Sequence, residues 1–255
     1  HMKSIVLVLS IAFFFNCQAQ EPAKEYFVQN LKFSSSDSKI DVNSNGDTVL
    51  ISYFKENNLR LNTLNIRELV YKGTPFFING WHKGTVILEP NGKSSSALLG
   101  YNLAQNKLYV SLCADRDVME IEPYAFEIAN HVFKKYNKQY AGAGDFYYEK
   151  LTEGHIELFR LNKCRFYPKV SGDRTGYEAS GDGYEGEFLK KTEYYINWRE
   201  KMQIVSNNYK IFEPYSKEAK KYASDNGMSI KKPNDLLKIV NFVNELAKKT
   251  PPDKL

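Results

Sequence analysis

Between Tyr71 and Cys113, apolar and polar residues alternate in short runs separated by turn-forming pairs. This pattern constrains the chain more than any other. Thr85-Val86-Ile87-Leu88 is β-branched and apolar, suited to a pleated, half-buried surface. Leu99, Tyr101 and Leu103 fall on one face of an extended chain, and Leu108, Val110 and Leu112 on one face of the next run, with Gln105-Asn106 between them. Pro90-Asn91-Gly92 predicts a type I′ hairpin turn, with Asn and Gly taking the two positive φ angles. Period-two alternation over successive runs predicts an antiparallel meander. Trp81, close to Gly80 and Gly84, admits two readings: an aromatic on a binding surface, or a ring that covers the open end of the sheet.

The same reading extends downstream. Thr48 to Phe54 predicts a strand, Val118 to Ile121 a short one, and Ala125 to Phe133 two strands around Asn130. Phe146 to Leu151 and His155 to Leu161 predict a hairpin about Thr152-Glu153-Gly154. Phe188 to Trp198, Met202 to Val205 and Tyr209 to Phe212 predict further strands. Ser171 to Glu187 holds five glycines and no apolar periodicity, and predicts a long exposed loop in which Tyr177 and Tyr184 are candidates to stack on a ligand. The end turns helical. Ser216 is the expected N-cap of a helix that Gly227 stops, and Pro233 opens a second helix with Leu236, Ile239, Val240 and Val243 on one stripe. The expected fold is α+β: a mainly antiparallel β meander, as an extended sheet or partial barrel, with a C-terminal helical pair. High aromatic content, 18 Tyr and 16 Phe, fits a β-rich chain.

The N-terminus predicts export. Lys3 precedes an eleven-residue apolar run, Ile5 to Phe15, and Cys17-Gln18-Ala19 places small residues before Gln20, the shape of a secretory signal over residues 1–19. The rival reading is a lipoprotein signal acylated at Cys17, which would put the protein on the outer membrane instead of in the periplasm or medium. Residues 20–47 read as a lead-in, 48–212 as the β domain, 213–249 as the helices and 250–255 as a tail. Cys113 and Cys164 are candidates for a disulfide in an oxidising compartment, or else two separate buried thiols.

Motifs for chemistry are sparse. Asp41 to Gly46 matches the first six positions of a calcium loop, but Ser52 stands where the twelfth-position Glu belongs, so the segment reads as an Asx-rich turn. Gly142-Ala143-Gly144 lacks the third glycine and following helix of a phosphate loop. No Cys or His spacing points to a metal, and no cofactor motif is present. The net charge of +5 is mild and its Lys-Lys pairs are scattered, which argues against a nucleic-acid face. Glu149 and Glu153 are expected on one face of a strand, the solvent face. His82, His131 and His155 are the candidates for acid–base work.

Gly73-Thr74-Pro75-Phe76-Phe77, Trp81-His82-Lys83-Gly84-Thr85-Val86, Tyr101-Asn102-Leu103, the Tyr148-Glu149-Lys150-Leu151 hairpin with Glu153-Gly154, and the closing segment from Lys217 to Asn244 together resemble a family of secreted and envelope proteins from Bacteroidetes. The resemblance covers roughly Leu69 to Asn244 and departs from the family pattern in the glycine-rich loop from Ser171. It implies an exported location and carries over no catalytic residues, since the family has no established activity. The expected function is therefore a non-enzymatic binding or structural module of the cell envelope, with a protein or glycan partner. The alternatives are a carrier of a hydrophobic ligand in a half-open barrel, or an extracytoplasmic hydrolase using a Glu/His pair.

Overall fold

The computed structural model describes residues 36–58, 63–111, 118–168 and 183–249. The expected signal segment with Cys17 lies outside them, as do Cys113 and Tyr177. The strands are β1 (Ser36–Val42), β2 (Thr48–Asn58), β3 (Thr63–Lys72), β4 (His82–Ile87), β5 (Ser94–Asn102), β6 (Lys107–Ser111) and β7 (Met119–Ile121). They continue with β8 (Ala125–Ile128), β9 (His131–Lys135), β10 (Tyr147–Lys150), β11 (Ile156–Pro168), β12 (Gly186–Trp198) and β13 (Lys201–Ile204). A 3-10 helix (Tyr209–Phe212) leads into α1 (Ser216–Asp225) and α2 (Pro233–Lys249).

The fold is α+β, as the alternation predicts. Among the described residues the strands form one sheet in the order β1-β2-β3-β12-β11-β10-β9-β8-β4-β5-β6-β7, with β13 paired to the far end of β12. Every pairing is antiparallel except one: β3 runs parallel to β12 through Tyr71↔Gly186 and Lys72↔Glu187. The hydrogen-bonded order ends at β1 and β7, so the sheet stays open, although Ile40 of β1 packs against both the Leu50–Tyr71–Phe188 cluster and the Phe76–Trp81–Tyr109 cluster.

Two turns follow their sequence closely. Ala129 (φ 49°) and Asn130 (φ 65°) join β8 to β9 with both residues left-handed, the two-residue type I′ geometry. Between β1 and β2, Asn43 Oδ1 accepts from the N–H groups of Asn45 (3.0 Å) and Asp47 (2.8 Å), an Asx turn. The turn after β4 differs from expectation. Gly92 N–H donates to Glu89 O at 2.9 Å and Asn91 alone has positive φ (63°), the pattern of a type II turn. Pro90 is the reason: its ring fixes a negative φ at the first central position.

Three element boundaries also move. The segment read as lead-in contains β1, whose Ile40↔Leu50 pairing with β2 recruits a polar run into the sheet. Tyr209–Phe212 is a 3-10 helix and not a strand: Asn208 Oδ1 caps Lys210 N–H at 3.0 Å, and the turn buries Phe212 completely. Ser216 is the first residue of α1, with Tyr215 at the cap position.

One face of the sheet carries two cores side by side. Ile156, Leu158 and Ile196 pack under α1 and α2 through Ala219, Ala223, Leu236, Ile239, Val240 and Val243. Beyond them Tyr101, Phe126, Phe133 and Tyr147 form a solid aromatic block; the Phe126 and Phe133 rings stack at 5.0 Å and Phe77 meets Phe133 edge-on at 5.0 Å. On the opposite face, Tyr136, Tyr140, Tyr148 and Phe159 pack with Met202.

Candidate functional site

The β12–β13 hairpin turns through Arg199 (φ 53°) and Glu200 (φ 61°). This is again a two-residue turn with both φ angles positive, but neither residue is Gly, Asn or Asp, so the backbone is held in a conformation these side chains disfavour. What holds it is the 139–145 loop. Ala141 N–H donates to Glu200 O at 2.8 Å, and Met202 N–H donates to Ala141 O at 2.7 Å. Gly142 makes that approach feasible, because a Cβ there would lie 2.5 Å from Met202 O. The turn tip is thereby fixed from behind.

In front of it, Trp198, Arg199, Lys201 and Gln203 from the hairpin and Lys210, Ile211 and Glu213 from the 3-10 helix and its exit line a half-open cleft of about 390 Å³. That volume lies within the range of small-ligand sites. Trp198 is half-buried against the helix-covered core, and the Arg199 guanidinium sits over its indole, 5.5 Å from the ring centroid. Phe212, wholly buried, anchors the opposite wall.

A second polar arrangement lies on the helix-bearing face, next to the aromatic block. The register Glu149↔Phe133 and Glu149↔Arg160 sets three side chains side by side. His131 Nδ1 is 2.9 Å from Glu149 Oε1, and Arg160 Nε donates to Glu149 Oε2 at 2.8 Å. Glu149 is 7% exposed, and the edge of Phe77 meets the His131 ring at 5.1 Å. His131 Nδ1 also lies 3.1 Å from the Arg160 guanidinium, which only donates, so the tautomer sets whether Nδ1 donates to Glu149 or accepts from Arg160. Among the described residues the hydrogen-bond partners of His131 are Glu149 and Arg160, so no hydroxyl or thiol nucleophile is held by it.

This arrangement corrects the expected placement of the glutamates. Glu149 is on a buried face, and Glu153 is exposed in the turn beyond it, because β10 ends at Lys150 and strand alternation does not reach residue 153. Glu157 is held on the opposite face by Lys150 (2.5 Å) and Asn197 (2.9 Å). Burial raises its pKa, but hydrogen bonds from Lys150, Asn197 and Tyr140 outweigh that and leave it lowered. The other histidines stand apart from these carboxylates: His82 Nε2 is 2.9 Å from Asn79 O, and His155 is exposed before β11.

The aromatic residues singled out in the sequence lie elsewhere. Trp81 is 6% exposed and covers the sheet at Gly100, where an added Cβ would touch its ring at 3.6 Å, so it is a core residue. The Tyr184 hydroxyl accepts from Asn43 Nδ2, tying the start of β12 to the β1–β2 turn. Cys164 is a free thiol whose Sγ lies 3.9 Å from Thr74 O; burial pushes its pKa up to about 11. The described residues hold no group of three His, Cys, Asp or Glu able to bind a metal ion, and no helix long and apolar enough to cross a membrane.

Compared with known proteins, the chain matches no family model, no curated protein and no solved structure. The reading of its function therefore rests on its own residues.

Proposed function

We propose that the protein is an exported module of the cell envelope that binds a glycan or protein partner without transforming it, and that the cleft beside Trp198 receives that partner. The observation that carries this reading is the cleft itself: an aromatic floor, several long polar side chains and a strained turn pinned by a neighbouring loop. Strained backbone clusters at active sites and ligand clamps, which makes this turn a candidate. The signal-like N-terminus supports the compartment. The aromatic block formed by Tyr101, Phe126, Phe133 and Tyr147 occupies the space that a hydrophobic-ligand carrier would keep open.

The test is a binding screen of the mature chain against envelope oligosaccharides and peptides, read by titration calorimetry. Binding that is lost in both Trp198→Ala and Lys210→Ala supports the reading. Binding that survives both substitutions, or a screen with no binder, overturns it.

A hydrolase is favoured by one observation, the His131–Glu149 pair. Turnover of an ester or glycoside that disappears in His131→Gln, with folding intact, would establish it over the binding module.

A further inference from the structure

Several cations of the sheet meet carboxylates: Lys150 pairs with Glu157 and Glu153, Lys163 and Lys191 with Glu193, Lys135 with Asp145, and Arg160 with Glu149, while Lys134 sits over the rings of Tyr124 and Tyr136. Arg199, Lys201 and Lys210 line one cleft, and among the described residues none of them makes an ion pair or a side-chain hydrogen bond. Glu213 is the one acid in the lining. Three positive charges against one negative charge along an open cleft give a local excess that favours an anion over a neutral or cationic ligand.

The arrangement also selects the kind of anion. Arg199 is oriented by its indole platform, and a guanidinium fixed in this way offers a planar fork of N–H donors matched to a carboxylate or phosphate. Lys201 and Lys210 reach in from opposite walls as point charges, and Gln203 adds a donor and an acceptor for neutral hydroxyls. A site that combines charge with neutral hydrogen-bonding groups in about 390 Å³ fits one or two charged sugar units. A nucleic acid would require basic residues tracking along a face, which the scattered lysines do not supply.

We infer that the cleft formed by Trp198, Arg199, Lys201 and Lys210 is a recognition site for an acidic saccharide, bound through its carboxylate or phosphate group. This deepens, and rests on, the binding-module reading.

The experiment is titration calorimetry of the full mature chain with a panel of acidic oligosaccharides, among them oligogalacturonate, its methyl-esterified neutral form and a phosphorylated oligosaccharide, with single-stranded DNA as a polyanion control. The expected result is binding of an acidic member that weakens about tenfold on esterification or dephosphorylation, and about tenfold in each of Arg199→Gln and Lys210→Gln. Circular dichroism of the two variants should match the parent. The arm that distinguishes carboxylate from phosphate is the comparison of the two acidic probes. Equal binding of charged and neutral forms overturns the inference while leaving the binding module in place. Binding of no saccharide overturns both. Binding of DNA alone, lost in Arg199→Gln, overturns the inference in favour of a nucleic-acid site.

Discussion

The side-chain amide of Asn244 hydrogen-bonds both backbone groups of Ile156: Nδ2 donates to the Ile156 carbonyl at 2.8 Å, and Oδ1 accepts the Ile156 N–H at 2.8 Å. Pairing of β10 with β11 reaches only Lys150↔Phe159, so the start of β11 has lost its neighbouring strand on that side. One amide on α2 replaces it. The contact lets the helix dock on exposed sheet edge without leaving buried polar groups unpaired. Asn244→Ala should therefore cost roughly 2–4 kcal/mol, since it strands a buried N–H and a buried C=O together. Urea unfolding checks this. Gly154 belongs to the same contact: its φ is +138° and an added Cβ would lie 2.8 Å from Asn244, so Gly154→Ala should lower the urea midpoint as well.

The Arg160–Glu149 pair should reveal itself in a double-mutant cycle. Arg160→Leu leaves Glu149, 7% exposed, with His131 beside it and no arginine, and should destabilise by roughly 2–4 kcal/mol. Replacing both with Leu removes the stranded charge and should recover at least half of that loss. If the double variant is as unstable as the sum of the singles, the pair is not coupled.

Glu193 sets a pH dependence. Hydrogen bonds from Lys191 (2.8 Å) and Lys163 (2.9 Å) hold its carboxyl down to about 2, against the ordinary carboxylate range. A group whose folded pKa is depressed contributes stability above its unfolded pKa and loses it as pH falls through the folded one. Stability should thus decline between about pH 4.5 and pH 2. In Glu193→Gln that part of the decline should vanish, with a cost of roughly 1 kcal/mol at neutral pH, discounted for its exposed lysine partners. Chemical denaturation at a series of pH values reads both effects.

Cys164 should resist alkylation in the folded protein. With its thiol pushed up to about 11, roughly one molecule in a thousand carries the thiolate at pH 8. Iodoacetamide without reductant should label Cys164 slowly when folded and rapidly in urea. No labelling in urea until reductant is added would instead establish a disulfide.

Much of this architecture was legible in the chain, for local reasons. Alternation exposes a strand whenever one face is buried, and Asn130 marked its hairpin because left-handed φ angles favour Asn. The failures were nonlocal. Nothing in the polar run at Ser36–Val42 reveals a strand until β2 lies beside it, and nothing in the order of residues says that β4 pairs with β8, or that β3 runs parallel to β12. Glu149, His131 and Arg160 are 11 and 18 or more residues apart and meet only through register across three strands. The cleft left one local trace, the run Trp198-Arg199-Glu200-Lys201 at a strand end, where a charged pair occupies turn positions that ordinarily take Asn and Gly.

The parallel seam between β3 and β12 has a kinetic meaning. Strands β1 to β3 are made first, and adjacent antiparallel pairing lets them assemble among themselves. Their place in the sheet is defined by Tyr71↔Gly186 and Lys72↔Glu187, two pairs that must close a loop of more than a hundred residues. Contacts of such sequence separation form late and slowly. The N-terminal three-stranded unit therefore waits, with the apolar faces of Leu50 and Tyr71 uncovered, until Phe188, about three quarters of the way along the chain, arrives to cover them.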